Sequence, residues 1–233
     1  MNQYPPLSPT QLGVRPATQL SVGFLSQAFA WMFVGLSLTA VVAWFVASSP
    51  SLAASAQGLF LPVILVQFGL VIGISAGIRR LNATAALGLF LVYAATMGVT
   101  MSFVFLGNNL GTIYQAFFSA AAMFGGAAVY GAITKRNLAS IGGYLVMALI
   151  GIVAASFLNL LIFHSLGLNF AISIIGVLVF VGLTAWDVQK IASGQLAVAT
   201  GSMEKGAVIG ALSLYLDFVN IFLFLLRLFG NRR

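Results

Sequence analysis

The stretch Leu212-Ser213-Leu214-Tyr215-Leu216-Asp217-Phe218-Val219-Asn220-Ile221-Phe222-Leu223-Phe224-Leu225-Leu226 decides the fold. It belongs to an apolar run, 206–228, long enough to cross a bilayer as a helix, since ~20 apolar residues span ~30 Å of hydrocarbon. Six comparable runs precede it, at 24–46, 58–78, 84–106, 112–133, 140–162 and 168–189. None shows the period-2 alternation of a membrane barrel. Backbone groups in lipid must be hydrogen-bonded within their own segment, so each run is expected to be helical. The reading is an all-α integral membrane protein, a seven-transmembrane-helix bundle. It forms one domain, 24–230, after a polar tail at 1–23 carrying Pro5, Pro6, Pro9 and Pro16, and before a basic end at 231–233.

Composition agrees. Of 233 residues, 61% are hydrophobic and 6% charged, against ~25% charged in ordinary globular chains. Ten Lys and Arg face three Asp and Glu, for a net charge of +7. Three acids cannot help coat a water-facing surface, and the abundance of apolar residues excludes disorder. The basic excess belongs at lipid headgroups, not on nucleic acid, so the bilayer is the first expected partner. With no cysteine, disulfides, thiolate metal sites and catalytic thiols are excluded. The first run is too long for a signal-peptide core and is expected to stay as a helix.

Arg15, Arg79, Arg80, Lys135, Arg136, Lys190 and Lys205 all fall on the side of the N-terminus, whereas the connections at 47–57, 107–111 and 163–167 carry no Lys or Arg. The positive-inside rule then expects a cell inner (cytoplasmic) membrane protein with a cytoplasmic N-terminus. Seven spans put the C-terminus outside, where Arg227, Arg232 and Arg233 are the one conflict. The larger loop bias makes that end the exception.

Asp217 sits ~16 Å along a helix that starts near residue 206. A charge at that depth is costly and marks a functional site by default. The plainer reading is a protonated acid hydrogen-bonding a neighbouring helix. Asn220 follows at i+3 and shares its face. Asp187 closes the sixth run in Thr184-Ala185-Trp186-Asp187-Val188-Gln189-Lys190. By position alone it reads as a solvated acid beside Lys190. If the last two spans pack as a hairpin, the two carboxylates share one poorly solvated site. They cannot then both ionise cheaply and titrate as a unit. Such a pair can sense protons or bind a hard cation through oxygen. Glu204, beside Lys205, reads as a solvated charge. His164 stands alone, and no HExxH metal helix is present. Gly73-Ile74-Ser75-Ala76-Gly77 matches G-x-S-x-G but lacks the strand-to-helix turn that motif needs. Gly69, Gly73 and Gly77, repeating at i+4, read instead as a close-packing face.

The residues around both aspartates resemble the Bax inhibitor-1 family of membrane proteins, in its bacterial branch. The resemblance is most specific in Gly182-Leu183-Thr184-Ala185-Trp186-Asp187-Val188-Gln189-Lys190 and in Leu212 to Asn220 continuing through Leu226-Arg227-Leu228-Phe229-Gly230. Tyr93-Ala94-Ala95 with Gly98-Val99-Thr100-Met101-Ser102, and Thr134-Lys135-Arg136-Asn137-Leu138, also match. The resemblance implies a bundle with the last helix central, wrapped by the other six. It implies that Asp187 and Asp217 are a proton-sensing pair gating a slow, passive calcium leak. It also implies a basic residue on the second helix, Arg79 or Arg80, holding the gate closed. The chain departs from the family at Trp186, where Tyr is usual, and at Val188, where Thr is usual, which removes two hydroxyls beside the acid.

The expected function is therefore a pH-sensitive calcium-leak channel gated by Asp187 and Asp217, with Arg79, Arg80 and Asn220 as possible gate partners. Calcium is the transported ion, met at Asp187 and Asp217, and no cofactor or enzymatic activity is expected. The alternative is a non-transporting regulator of a membrane-bound protease or of a stress or cell-death response, with the polar tail as its contact.

Overall fold

The computed structural model describes residues 17–230. Among these described residues nine α-helices follow one another: α1 (Ala17–Ala47), α2 (Pro50–Gly58), α3 (Phe60–Gly77), α4 (Ala83–Gly107), α5 (Leu110–Ile133), α6 (Ala139–Leu158), α7 (Leu166–Ala192), α8 (Gln195–Thr200) and α9 (Met203–Gly230). No strand occurs among the described residues. The seven long helices coincide with the seven apolar runs, and all are long and apolar enough to cross a membrane. Residues 17–23, read as the end of the polar tail, form the first turns of α1. The rest of the tail, with Arg15, and the basic end with Arg232 and Arg233 lie outside the described residues.

The helix boundaries have local causes. Asn82, Asn109 and Ser165 cap α4, α5 and α7, accepting from the amides of Ala85 (2.7 Å), Thr112 (2.8 Å) and Leu168 (3.3 Å). These side chains satisfy amides that a helix start leaves unpaired. The short α2 opens on Pro50, whose missing N–H costs nothing in a first turn. The short α8 is set off by Gly194 and Gly201, both at φ 74°, where residues with a side chain are strained. Helix α6 ends in a wider π turn over Asn159–Phe163.

Helix α9 is the core. In its most apolar window 67% of residues are buried, against 11% for α3 and for α6 with its π turn. It packs directly on α1, α4, α5, α7 and α8. Helix α3 packs chiefly on α4, and α6 chiefly on α7. The last helix is thus central, but the wrap expected from six helices is tight on one side and open on the other.

On the tight side, α1 and α4 meet through Gly98, where a β-carbon would lie 2.8 Å from the Thr39 carbonyl oxygen and 2.6 Å from Val42 Cβ. There Thr39 and Tyr215 share a 2.6 Å hydrogen bond, and Thr39 also lies 2.8 Å from the Ala94 carbonyl. The Tyr215 ring stands edge-on to Phe90 and Tyr93, at 5.6 and 5.7 Å between centroids. The Gly69, Gly73 and Gly77 face corrects the expectation placed on it. Nothing lies within 4 Å of a β-carbon at Gly69 or Gly73, and only Leu81 of the next turn approaches Gly77. Spacing at i+4 sets a face, but not whether another helix of the same chain covers it.

The short connections order the two ends. At one end Gln189 holds the α5–α6 link by accepting from the Leu138 amide (2.8 Å) and donating to the Arg136 carbonyl (2.8 Å). At the same end Arg79 Nε donates to the Ala199 carbonyl (3.3 Å), and Lys205 Nζ donates to the Arg79 carbonyl (3.3 Å). Arg79, Arg80, Lys135, Arg136, Lys190 and Lys205 thus gather at this end, whereas Arg227 lies at the other. The α4–α5 turn, the α6–α7 turn and the end of α9 form the opposite one.

Candidate functional site

Helices α7 and α9 run antiparallel. Ile191 packs on Gly210, and Phe224 packs on Gly176. This register sets Thr184 across from Asp217 and puts Asp187 about one turn, ~5 Å, nearer the basic end. Both acids are buried, at 8% exposure for Asp187 and 4% for Asp217. They line one cavity of about 500 Å³. Its floor is α7 and α9. Its flanks are α3, through Gln67 and Phe68, and α6, through Val146 and Val153, with Tyr93 and Met97 of α4 between. It exists because α3 and α6 lean on α4 and α7 instead of closing over α9.

The two carboxylates differ in surroundings. Asp187 makes an ion pair with Lys190 at 2.5 Å, one turn along the same helix. The Lys190 ammonium also lies 3.9 Å from the centre of the Trp186 ring, a cation–π contact that steadies it. Trp186 in turn lies flat against Gly142 of α6, which has no room for a side chain. Asp217 has no such partner. Its Oδ2 is buried and accepts no hydrogen bond from any described residue. The Thr184 hydroxyl opposite lies 2.8 Å from the Phe180 carbonyl and also faces the Asp217 carboxyl, so the oxygen left without a partner is Oδ2 alone. A buried carboxyl oxygen left unmatched is costly, and few such atoms survive in folded proteins without a role.

Asn220 lies one turn beyond Asp217 and lines the same cavity. Its amide nitrogen donates to the Leu216 carbonyl at 2.8 Å. Arg79 and Arg80 are not brought to the aspartates. Arg79 is engaged with Ala199, and Arg80 is exposed at the basic end. The basic group at the site is Lys190, and the second transmembrane helix contributes the uncharged Gln67, whose amide donates to Thr100 Oγ1 at 3.2 Å. The sequence sets Lys190 beside Asp187, and the i+3 spacing closes the ion pair, but at the cavity and not as a solvated helix end. Gln67 carried no signal beyond being a polar residue within an apolar run. Ser75 is exposed on α3 at the basic end, and His164 lies at the opposite end of the bundle, so the two do not meet. Glu204 is exposed in the first turn of α9. Among the described residues no three His, Asp or Glu gather as a metal cluster.

A family model described as inhibitor of apoptosis-promoting Bax1 matches residues 22–233. The chain belongs to the Bax inhibitor-1 family. Relatives match it nearly end to end. Inner membrane protein YbhL of Escherichia coli (strain K12) is 43% identical over 226 residues, covering 94% of this chain and 96% of its own. An uncharacterized protein of Borreliella burgdorferi is 43% identical over 215 residues, covering 90% and 92%. The uncharacterized protein YrjE of Lactococcus lactis is 42% identical over 213 residues, covering 89% and 90%. This Bax inhibitor-1 family chain is therefore a multi-pass membrane protein, its two interior acids on the last two long helices.

Proposed function

We propose that this chain is a passive calcium-leak channel of the inner membrane, gated by protonation of the Asp187 and Asp217 pair. One observation carries the reading: two acids from different helices line one cavity inside the membrane span, and one of them has a buried oxygen without a partner. Asp187 is matched by Lys190, whereas Asp217 keeps one oxygen, Oδ2, without a partner among the described residues. An unmatched carboxyl inside a cavity is a place for a proton or a passing cation.

The chemistry follows from charge. Lys190 neutralises Asp187, so the net charge of the cavity is set by Asp217. Ionised, Asp217 makes the cavity anionic and attracts a divalent cation. Protonated, it removes that attraction and changes the force between α7 and α9. Two carboxylates fall short of the 6–8 oxygens that Ca²⁺ takes, so water and amide oxygens such as those of Gln67 and Asn220 complete its shell in transit. This suits a leak, which needs weak binding, better than a resident metal. The chain works without a cofactor and without catalysing a reaction. The clustered basic residues at one end favour a cytoplasmic N-terminus, and the printed name of the Escherichia coli relative favours the inner membrane.

The test is calcium entry into liposomes holding the purified protein, across acid to neutral pH, with wild type beside Asp217→Asn. The expected result is a flux that varies with pH in the wild type and does not in the variant. Flux no greater than that of empty liposomes at any pH would move the reading to a non-transporting regulator of other membrane proteins.

A further inference from the structure

At the end of the bundle opposite the basic residues, a second cavity of about 530 Å³ lies at the α6–α7 turn. Five polar side chains line it: Arg227 of α9, His164 of the turn, Asn169 of α7, Ser156 of α6 and Asn159 of the π turn. The gating reading uses none of them.

Arg227 is the first reason to expect an anion there. It lies three residues, about 5 Å, from the last residue of α9 and so at headgroup depth. The chain has three carboxylate side chains. Glu204 and Asp187 lie toward the other end, and Asp217 is about 15 Å away along the same helix. The guanidinium rests against the Phe224 ring at 5.7 Å, and no carboxylate side chain of the described residues reaches it. A planar guanidinium suits the paired oxygens of a phosphate.

His164 is the second reason. Its φ of 48° is the one positive value among described residues other than glycine. It ends α6 in the left-handed conformation, a position where glycine is the usual residue. Asn159 fixes this turn, donating to the Ser165 carbonyl (3.1 Å) and accepting from the Ser165 amide (2.9 Å). A histidine held in a glycine conformation on a pinned turn sets its imidazole at the cavity, with Nδ1 3.3 Å from the Ile162 carbonyl and Nε2 left to meet a ligand.

The flanks decide what kind of phosphate. Phe157, Leu160 and Leu166 border the cavity and are 53%, 67% and 75% exposed. A free phosphate would leave these apolar walls and most of the volume empty. A phospholipid fills both, with its phosphodiester on Arg227 and His164 and its acyl chains along the apolar flank.

We propose that this cavity binds the phosphodiester of a membrane phospholipid, with Arg227 and His164 as its ligands. Such a lipid also offsets a cation standing at the end of the bundle where the loops carry none.

Native mass spectrometry of the full chain, released from detergent with added lipid, tests this. Three probes separate the sources: phosphatidylglycerol has phosphate and chains, diacylglycerol has chains only, and inorganic phosphate has neither chain. Phosphatidylglycerol is expected to stay bound, with diacylglycerol and inorganic phosphate at least about tenfold weaker. Arg227→Gln is expected to lower phosphatidylglycerol retention about tenfold, the scale of one charge-assisted contact. If that variant does not fold, His164→Gly serves, because glycine suits the turn; it should fold as well as the wild type and retain less lipid. Equal retention of diacylglycerol, tight binding of inorganic phosphate alone, or unchanged retention in the folded variants would overturn the proposal.

Discussion

Tyr215 and Asp217 stand two residues apart on the central helix and face opposite fates. Tyr215 looks toward α1 and α4, where its hydroxyl meets Thr39 at 2.6 Å, two rings stand edge-on to it, and no part of it is exposed. Asp217 looks toward α7 and the gap between α3 and α6, where a buried oxygen has no partner beside a 500 Å³ cavity. Both are polar groups deep in an apolar bundle. The first is matched and closed in, as interior polar groups are when they hold helices together. The second keeps one unmatched oxygen beside a cavity, as a polar group that acts would. On the proposed function, one helix presents a structural face and a gating face.

Substitutions can break this comparison, beginning with the largest expected effect. Tyr215→Ala removes a ring from the closed face and should cost about 3–5 kcal/mol, the range for emptying a well-packed aromatic site. Thermal unfolding in detergent would read this as a large fall in midpoint, and an unchanged midpoint would mean the face is not closed. Gly98→Val pushes a β-carbon onto the Thr39 carbonyl and Val42, and should cost about 1–3 kcal/mol, as overpacking does. The same measurement checks it. Asp217→Asn keeps shape and loses charge, so stability should move by less than about 1 kcal/mol while the pH response of calcium flux disappears. Gly151→Val, on α6 where nothing lies within 4 Å of a β-carbon, should change the midpoint by no more than about 0.5 kcal/mol equivalent. A large effect there would mean that α6 is covered by something on its outer face.

Much of this was legible in the chain itself. Hydrocarbon thickness sets a length that any span must meet, so seven runs became seven helices with ends shifted by only a few residues. The family resemblance implied a central last helix, which also explains how a mid-span acid survives, and α9 is the most buried. The i+3 spacing of Asp187 and Lys190 became an ion pair. Other features could not be read. The short helices α2 and α8 are too brief for periodicity to show and depend on Pro50 and on two glycines. The Gly69–Gly73–Gly77 face has the spacing of a packing surface but meets no helix of this chain. Arg79 and Arg80 were candidates through resemblance, whereas three-dimensional placement ties Arg79 to Ala199 and brings Gln67 to the cavity. Which residues of one helix reach another element is fixed by packing, and a single sequence does not display it.

The central claim is that the open face of α9 works and the closed face holds. Calcium flux into liposomes across acid to neutral pH, comparing wild type, Asp217→Asn and Tyr215→Phe, tests it most directly. The account predicts that Tyr215→Phe keeps a pH-dependent flux while losing about 0.6–2 kcal/mol of stability with its interhelical hydrogen bond, and that Asp217→Asn keeps its stability and loses the pH dependence. A pH dependence that survives in Asp217→Asn, or that is lost in Tyr215→Phe, would contradict it.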